Sequence, residues 1–491
     1  MKKLHILILG LFCMLSYSCI KEGGNEFKPE LPAAAVDGYQ KTYTVFTHRD
    51  TLKINPAVAD EAQYDFLWTV YSTNFNVNAG VVPKPDTLAT TKNLQYEVLL
   101  NPGQYILILN VKNKKTTVTQ MITSTLSVST LTMSGWYMLK DNGTKTDFDF
   151  VYNGGRIDNW MANFNGGKSL KGKAIKSIYA GSFKASLTST DQFGVLVAIT
   201  DEDAAIYRLD NGKMVMNFDQ MFFTKPEVRK PQNILQPQAD NTLNLINDGK
   251  VYNMTKGALF ADSPPSAYKI SPVSALAALV VVFDQNSRSL LCLNSGVFSP
   301  FGTAGASLKN MTADLVWIGG YAGMRGVVMT LFRQDSGDGL LVKLDGTYGP
   351  LAGLTSTLIQ GTRTVPKAHG LMSADVIGGN YDSDYIYYAK GNKIYMTDFA
   401  STPENMQITL SEGEVVTSIQ HIKYPVPSAP SVVSTTDYLA IASYLNGRYK
   451  VWLHKISSTG TIQALPKPNF EGEGRVSSVN YLEQGIGNKT Y

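Results

Sequence analysis

Residues 38–128 consist of short segments in which apolar and polar positions alternate. The clearest of these segments are 42–46, 64–71, 105–111 and 117–128, which are rich in β-branched and aromatic residues. Alternation with a period of two places the apolar side chains on one face of a strand. The pattern therefore predicts a small β-sandwich over residues 38–128.

After residue 128 the pattern changes to pairs of apolar strands separated by polar turns, and the pairs recur toward the end of the chain. One example is 438–443 with 450–454, joined by a turn that contains Asn446-Gly447. Asparagine and glycine tolerate the positive φ that the bend of a hairpin requires. The average spacing of the pairs is near the roughly 40 to 50 residues of a propeller blade.

We therefore predict a β-propeller over residues 129–491, with seven blades, or eight as the alternative count. Its last strand, near 476–482, is expected to close the ring against the first blade. A pair of sandwiches is the alternative architecture for this region. With either arrangement the fold class is all-β.

Part of the predicted sandwich resembles a known family. Phe-Leu-Trp at 66–68, Pro-Gly-Gln-Tyr at 102–105 and the alternating apolar positions of 107–111 resemble the PKD-type immunoglobulin-like fold. In that fold a tryptophan strand packs against the strand that follows a Pro-Gly-x-Tyr turn. The usual acidic-glycine turn after the tryptophan strand is replaced by Ser-Thr-Asn at 72–74. The chain is therefore most similar to the PKD-like lipoprotein family rather than to an ordinary PKD repeat.

Residues 1–18 have the layout of a lipoprotein signal peptide. Lys2 and Lys3 precede an apolar stretch at 4–15, and Leu-Ser-Tyr-Ser-Cys forms a lipobox that ends at Cys19. The apolar stretch is shorter than the roughly 20 residues that span a bilayer. We predict cleavage before Cys19 and acylation of its thiol, which would anchor the mature protein to a membrane through lipid.

Residues 19–37 are predicted to form a lipidated flexible linker, because glycine and proline are frequent in this segment. Lys21-Glu22, just after the lipidated cysteine, is similar to the export tag of Gram-negative surface lipoproteins. This similarity implies an outer-membrane lipoprotein that faces the cell exterior.

Charge and cysteine usage narrow the choice of partners. The chain has 44 basic and 40 acidic residues, so it lacks the basic surface that nucleic-acid binding needs, and we predict no nucleic-acid partner. Cys13 leaves with the signal peptide and Cys19 carries lipid. Cys292 lies in an apolar strand, where a core position is expected, and no disulfide is predicted in the mature fold.

The sequence contains no convincing catalytic set. A glycosidase needs two carboxylates facing each other across a cleft, and most of the candidates lie in predicted turns, where aspartate favours the bend: Asp147, Asp149, Asp201, Asp314, Asp382 and Asp384. The histidines are not spaced as metal ligands, and neither a nucleophile elbow nor a phosphate-binding glycine motif occurs. We predict a protein without enzymatic activity, metal or cofactor. A propeller glycosidase or lyase acting on polysaccharide is the alternative.

Binding is the function that remains, and propellers present loops around a central channel. Five loop residues are candidates for ligand contact: Trp160, Tyr321, Arg325, His369 and Tyr381. An aromatic face can stack on a sugar ring or a peptide side chain, and an arginine can pair with a carboxylate. We expect these residues to mark one end of the propeller, with ordinary packing or turn chemistry as the alternative for each.

The family resemblance implies a cellular context for such a binding protein. PKD-like lipoproteins are similar to accessory components of Sus-like outer-membrane uptake systems, in which a TonB-dependent transporter works with a surface lipoprotein. The resemblance implies a non-catalytic binding or docking component. Its implied partners are outer-membrane lipid through acylated Cys19, the transporter with its surface-binding lipoprotein, and an oligosaccharide or peptide ligand.

Overall fold

A computed structural model describes most of the chain beyond residue 32: residues 33–47, 50–73, 84–100, 103–129, 134–153, 155–186, 188–189, 192–236, 242–254, 258–261, 267–273, 275–276, 280–294, 297–321, 326–346, 357–424 and 433–483. The chain divides into two compact units, Met1–Thr130 and Leu131–Tyr491. The predicted signal peptide and Cys19 lie outside the described residues. Within the described ranges, none of the helices has the length and apolar character needed to cross a membrane.

In its described residues the first unit is a sandwich of nine strands with one 3₁₀ turn at Glu61–Gln63. Its main sheet has the order β2-β9-β8-β5-β6, and two short sheets, β1-β4 and β3-β7, complete it. The strands are β1 (Val36–Asp37), β2 (Thr42–Phe46), β3 (Thr51–Ile54), β4 (Ala57–Val58), β5 (Tyr64–Ser72), β6 (Asp86–Ala89), β7 (Leu94–Glu97), β8 (Gly103–Asn113) and β9 (Thr119–Ser129).

The tryptophan strand predicted from the sequence lies beside the strand that follows the Pro-Gly turn. Trp68 on β5 is directly opposite Leu109 on β8, and the two strands are antiparallel. The Trp68 ring is buried in the sandwich core, and its indole N–H donates to the Lys92 carbonyl at 3.0 Å. The predicted resemblance to a PKD-type sandwich is therefore confirmed at the level of strand pairing.

The second unit consists of seven antiparallel sheets in the described residues, which we call blades 1 to 7. Blade 1 contains β10 (Gly135–Asp141), β11 (Lys145–Tyr152), β12 (Gly155–Ile157), the short β13 (Leu170–Lys171) and the C-terminal β37 (Arg475–Leu482). Blade 2 contains β14 (Ala174–Phe183), β15 (Phe193–Thr200), β16 (Ala204–Arg208) and β17 (Met214–Asn217). Blade 3 contains β18 (Pro231–Leu235), β19 (Leu243–Asn247) and β20 (Lys250–Met254). Blade 4 contains β21 (Ala275–Leu276), β22 (Val280–Asp284), β23 (Ser289–Asn294) and β24 (Val297–Pro300).

Blades 5 to 7 each have four strands. Blade 5 contains β25 (Ala313–Tyr321), β26 (Val327–Gln334), β27 (Gly339–Asp345) and β28 (Ile359–Val365). Blade 6 contains β29 (Val376–Gly379), β30 (Tyr385–Lys390), β31 (Lys393–Asp398) and β32 (Asn405–Thr409). Blade 7 contains β33 (Val415–Tyr424), β34 (Thr436–Leu445), β35 (Arg448–His454) and β36 (Phe470–Glu473). One short helix, α1, spans Trp160–Phe164, and 3₁₀ turns lie at Phe218–Gln220, Ala306–Leu308 and Gly370–Ser373. The prediction of a propeller with seven blades is confirmed.

The ring closes by joining the two ends of the second unit in one sheet. The C-terminal β37 pairs antiparallel with β10, from Gly135 opposite Leu482 to Asp141 opposite Arg475. This strand is also the innermost of blade 1 and lies between the inner strands β14 and β33 of the neighbouring blades. The predicted closure of the last strand against the first blade is confirmed.

The topology gives the propeller two distinct ends. We letter the strands of each blade A to D from the inside outward, so that the A strands are β37, β14, β18, β21, β25, β29 and β33. Because neighbouring strands are antiparallel, A–B and C–D connections lie at one end and B–C and D–A connections at the other. We call these the A–B end and the D–A end.

Buried apolar clusters between successive blades hold the ring together. Cys292 lies in the cluster between blades 4 and 5 and is fully buried. Burial raises the pKa of the Cys292 thiol to about 11, so that it stays protonated near neutral pH. Cys292 is a core residue, as its apolar surroundings in the sequence predict.

Gly378 permits close packing between the inner strands of blades 6 and 7. A Cβ at Gly378 would lie 2.5 Å from the Ile419 carbonyl oxygen, whereas a Cβ at Gly379 would meet only the Trp317 ring at 3.5 Å. Gly378→Ala is therefore expected to lower the free energy of unfolding by about 1–3 kcal/mol, because the backbones must separate. Urea unfolding would measure this change, and Gly379→Ala is the matched control. Equal effects of the two substitutions would contradict the packing argument.

Candidate functional site

Two of the five predicted contact residues lie in D–A connections. Trp160 opens α1 and is fully buried in an aromatic group with Tyr137, Phe148 and Tyr207. Its ring has no surface for a ligand, which corrects the prediction that it stacks on one. Trp160 is buried because it lies on the apolar face of the short helix α1, which packs on blade 1. The polar residues before it in the sequence led to the prediction of an exposed loop.

His369 is also a structural residue. It precedes the 3₁₀ turn at Gly370–Ser373, where its Nδ1 accepts from the Leu371 N–H at 3.1 Å. Its Nε2 lies 3.2 Å from the Thr402 carbonyl oxygen and therefore donates to it. Both ring nitrogens are thus occupied within the D–A end, and the ring is buried. The His369 ring is therefore not available for contact with a ligand.

Tyr321 and Tyr381 belong to the A–B end, because Tyr321 is the last residue of β25 and Tyr381 follows β29. Arg325 lies outside the described residues. The four described candidates are therefore divided between the two ends, and the prediction that the candidates mark one end is wrong. Antiparallel order explains the division, because D–A and A–B connections of the same blade lie at opposite ends.

Tyr381 leads to a group of charged side chains between blades 6 and 7. We call Asp382, His421, Lys423 and Asp437 the charged cluster. The Lys423 ammonium lies 2.6 Å from Asp382 Oδ2 and 3.1 Å from Asp437 Oδ2. His421 Nε2 lies 2.9 Å from Asp437 Oδ1. One buried lysine therefore holds two carboxylates in fixed positions.

The exposure of these groups differs sharply. The side chains of Lys423 and His421 are 11% and 3% exposed, whereas those of Asp382 and Asp437 are 50% and 40% exposed. The Lys423 ammonium also lies 5.6 Å from the centre of the Tyr381 ring, which is buried. The cluster thus presents carboxylate oxygens to solvent and keeps its cation beneath them.

Electrostatics favour the charged forms. Partial burial opposes the charge of Lys423, but hydrogen bonds to Asp382 and Asp437 outweigh burial and raise the pKa of this lysine. Burial likewise opposes ionisation of Asp437, yet hydrogen bonds from His421 and Lys423 lower the pKa of its carboxyl group. Burial and the nearby Asp382 raise the pKa of Tyr381 to about 12, so its hydroxyl stays neutral. The cluster therefore keeps the Asp437 carboxylate ionised near neutral pH.

Three of these residues have the spacing of metal ligands. Ligand atoms of Asp382, His421 and Asp437 lie within 4.8 Å of one another. However, His421 Nδ1 accepts from the Tyr381 N–H at 2.8 Å, so the proton of the neutral ring is on Nε2, which points at Asp437. A protonated nitrogen cannot bind a metal, and the Lys423 ammonium already contacts an oxygen of each carboxylate. The arrangement suits hydrogen bonding better than metal binding.

Aromatic side chains lie on the other side of blade 7, also toward the A–B end. The Trp136 ring centre lies 6.2 Å from that of Tyr438, 4.8 Å from Tyr481 and 6.0 Å from Phe470. All four rings are partly exposed. We call them the aromatic group. Such rings can stack on the apolar face of a sugar.

The carboxylates considered for glycosidase chemistry are engaged elsewhere. Asp149 is fully buried and accepts from Lys140, Arg156 and Tyr449. Asp147 accepts from two N–H groups in the first turn of α1 and from Ser169. The others pair as follows: Asp201 with the Lys173 N–H, Asp314 with Arg288, Asp382 with Lys423 and Asp384 with Lys343.

Asp147 lines a cleft of about 260 Å³ at the D–A end of blade 1, together with Lys140, Asp141, Lys145 and Asn159. Burial raises the pKa of Asp147, although its hydrogen bonds act in the opposite direction. A general acid needs a raised pKa. Its donors, however, hold the Asp147 carboxylate against α1, where it acts as a helix cap.

Sequence reasoning missed His421, Lys423 and Asp437. Residues 421 and 423 are separated by two positions in β33, so their side chains lie on the same face of the strand. That alternation is visible in the sequence. Their meeting with Asp382 is not, because it depends on the packing of blade 6 against blade 7.

Comparisons with known proteins were made at the level of sequence and of structure. No curated protein sequence matches the chain. A quinonprotein alcohol dehydrogenase-like protein from Bacteroides thetaiotaomicron is similar at 13% identity and a TM-score of 0.45, with 91% of this chain and 99% of that chain covered. The β-propeller domain of Cps50 (Swd1) from Myceliophteria thermophila is similar at 9% identity and a TM-score of 0.35, with 65% and 98% covered.

The family comparison is more informative because it concerns sequence. The matched segment includes the sandwich and continues through the first blade into β14. It also begins at the predicted lipidation residue, Cys19. The model of the PKD-like family matches residues 19–177, so this part of the chain is similar to the PKD-like family.

Proposed function

We propose that the protein is a lipid-anchored surface lipoprotein that binds an oligosaccharide without catalysing a reaction, as a component of a Sus-like TonB-dependent uptake system. The lipobox ending at Cys19 and the following Lys21-Glu22 support the anchor and its outward orientation. The PKD-like match supports the family context. The outer membrane, the transporter and its surface-binding lipoprotein are the proposed partners.

The charged cluster is the observation that carries the binding proposal. Asp382 and Asp437 are half-exposed, and the Lys423 ammonium holds both carboxylates in place. Fixed carboxylates accept hydrogen bonds from sugar hydroxyls, and bonds to charged groups are stronger than bonds between neutral groups. The partly exposed aromatic group on the other side of blade 7 supplies surfaces for stacking. Together these features suit a glycan better than an acidic peptide.

A non-catalytic role is supported by the use of the carboxylates. Each aspartate considered for hydrolysis has a cation, a helix terminus or a backbone N–H as its partner. The alternative, a glycosidase or lyase, would rely on Asp147 in the cleft of blade 1, because its pKa is raised. Glycan turnover by the purified protein that is abolished in Asp147→Asn would establish that alternative.

Asp382→Asn is expected to weaken oligosaccharide binding by about 10- to 100-fold, since a hydrogen bond to a charged group contributes about 1.5–3 kcal/mol. Isothermal titration with neutral oligosaccharides, after a glycan-array screen of the wild type, would measure the change. Asp335→Asn is the matched control, because Asp335 is an exposed, ion-paired aspartate at the D–A end. Equal loss in both variants, or binding of peptides alone, would contradict the proposal.

The anchor is tested separately. Cys19→Ser is expected to abolish acylation and release the protein from the membrane fraction, because the thiol is the attachment point of the lipid. Mass spectrometry of the mature N-terminus and protease treatment of intact cells would measure lipidation and surface exposure. Complete protection of the wild-type protein in intact cells would contradict a surface location.

A further inference from the structure

Polar side chains form a belt along the inner strands of the propeller. Gln420 of blade 7 accepts from the Val479 N–H of blade 1 at 2.8 Å. Ser478 of blade 1 lies 3.4 Å from the Ser177 hydroxyl of blade 2, and the Asn480 amide donates to the same hydroxyl at 2.5 Å. Inner strands of a propeller surround its central channel, so this belt lies at the channel wall.

Lys176 continues the belt toward blade 3. It lies on β14, and its ammonium donates to Asn233 Oδ1 on β18 at 3.2 Å. The Asn233 amide in turn donates to the Pro272 carbonyl, on the segment that enters blade 4. The lysine is enclosed by protein, yet part of its surface remains accessible to water. Enclosure by protein together with partial access to water is expected of a side chain at the wall of a narrow channel.

The charge of Lys176 has no counter-charge among the described residues. Buried lysines are ordinarily paired with a carboxylate. Among the described residues, the neutral amide of Asn233 is the hydrogen-bond partner of this ammonium. Burial alone lowers the pKa of Lys176 to about 8, with no neighbouring carboxylate to raise it. The Lys176 ammonium is therefore positively charged, largely removed from water and without a carboxylate partner among the described residues.

We propose that the central channel binds the carboxylate group of a small organic acid at Lys176. An anion would supply the missing counter-charge. One ammonium matches the single charge of a carboxylate, whereas phosphate is usually bound by several donors or an arginine fork. This site is separate from the charged cluster and does not depend on the function proposed for it.

The experiment is competitive acetylation of the intact chain, with the modification of each lysine quantified by mass spectrometry. At pH 7 a pKa near 8 leaves about a tenth of the Lys176 amine unprotonated, so Lys176 reacts measurably. Galacturonate is the probe, galactose is its neutral counterpart, and inorganic phosphate is the third arm, all at equal ionic strength. We expect galacturonate to slow acetylation of Lys176 at least fivefold, with a much smaller effect of phosphate and none of galactose.

The exposed Lys173 on the same segment is the internal control and should react equally in every arm. Lys176→Gln should also lose any rise in melting temperature that galacturonate produces in the wild type, and Lys173→Gln should keep it. Unchanged reactivity of Lys176 in galacturonate would overturn the proposal. Equal protection by phosphate or by galactose would overturn its assignment to a carboxylate. The labelling of the wild type decides these outcomes even where a variant does not fold.

Discussion

A chain that ends after Glu473 is expected not to form a closed propeller. The truncation removes β37, which is the inner strand of blade 1 and pairs along the whole of β10. It also removes Val476 and Val479 and thereby exposes Met138, which packs with them in one apolar cluster with blade 7. The edge of β10 would then be unpaired, and such an edge is a template for aggregation.

The expected result is loss of soluble monomer, measured by size-exclusion chromatography and near-ultraviolet circular dichroism. A chain that ends after Glu483 is the matched control, because it keeps every pair of β37 with β10. That control should elute and melt as the full chain does. A soluble, cooperatively melting product of the shorter truncation would contradict the view that β37 closes the ring.

Replacing Asp149 by asparagine is expected to lower the free energy of unfolding by about 3–5 kcal/mol, because it leaves the buried Lys140 ammonium without its counter-charge. Asp149 is fully buried and lies 2.8 Å from the Lys140 ammonium and 2.7 Å from the Arg156 guanidinium. It also accepts from the Tyr449 hydroxyl of blade 7 at 2.7 Å. The network therefore joins blade 1 to blade 7 at the point of closure.

Urea unfolding followed by tryptophan fluorescence would measure this effect. Asp158→Asn is the matched control, because Asp158 pairs with the same Arg156 but is 59% exposed. An exposed ion pair contributes roughly 0–1 kcal/mol, so the control should remain close to the wild type. A loss in Asp149→Asn no larger than in the control would show that burial of this carboxylate does not matter.

The contacts of the blade 1 aspartates explain why their roles could not be predicted from the sequence. Asp147 and Asp149 are two positions apart on β11, as paired catalytic carboxylates could be. Their partners are Ser169, Arg156 and Tyr449, and the last of these is far away in the chain. In the sequence, an aspartate that caps a helix or joins two blades cannot be distinguished from a catalytic aspartate.

Local patterns determined the class of the fold and its repeats. Alternation with a period of two depends only on neighbouring residues, so the sandwich strands, the hairpins of the blades and the closing strand could be predicted. Asn446-Gly447 and similar turns have positive φ in the structure, as hairpin bends require. The Trp68 strand and the Pro-Gly-x-Tyr turn likewise carried the family resemblance.

The tertiary structure alone decided which of the candidate side chains are exposed. Trp160 and His369 resemble surface residues in the sequence, but packing on blade 1 and hydrogen bonds to Leu371 and Thr402 bury them. Lys423 meets Asp382 only because blades 6 and 7 stack side by side. Contacts between blades join residues remote in sequence, and no periodicity along the chain encodes which of them meet.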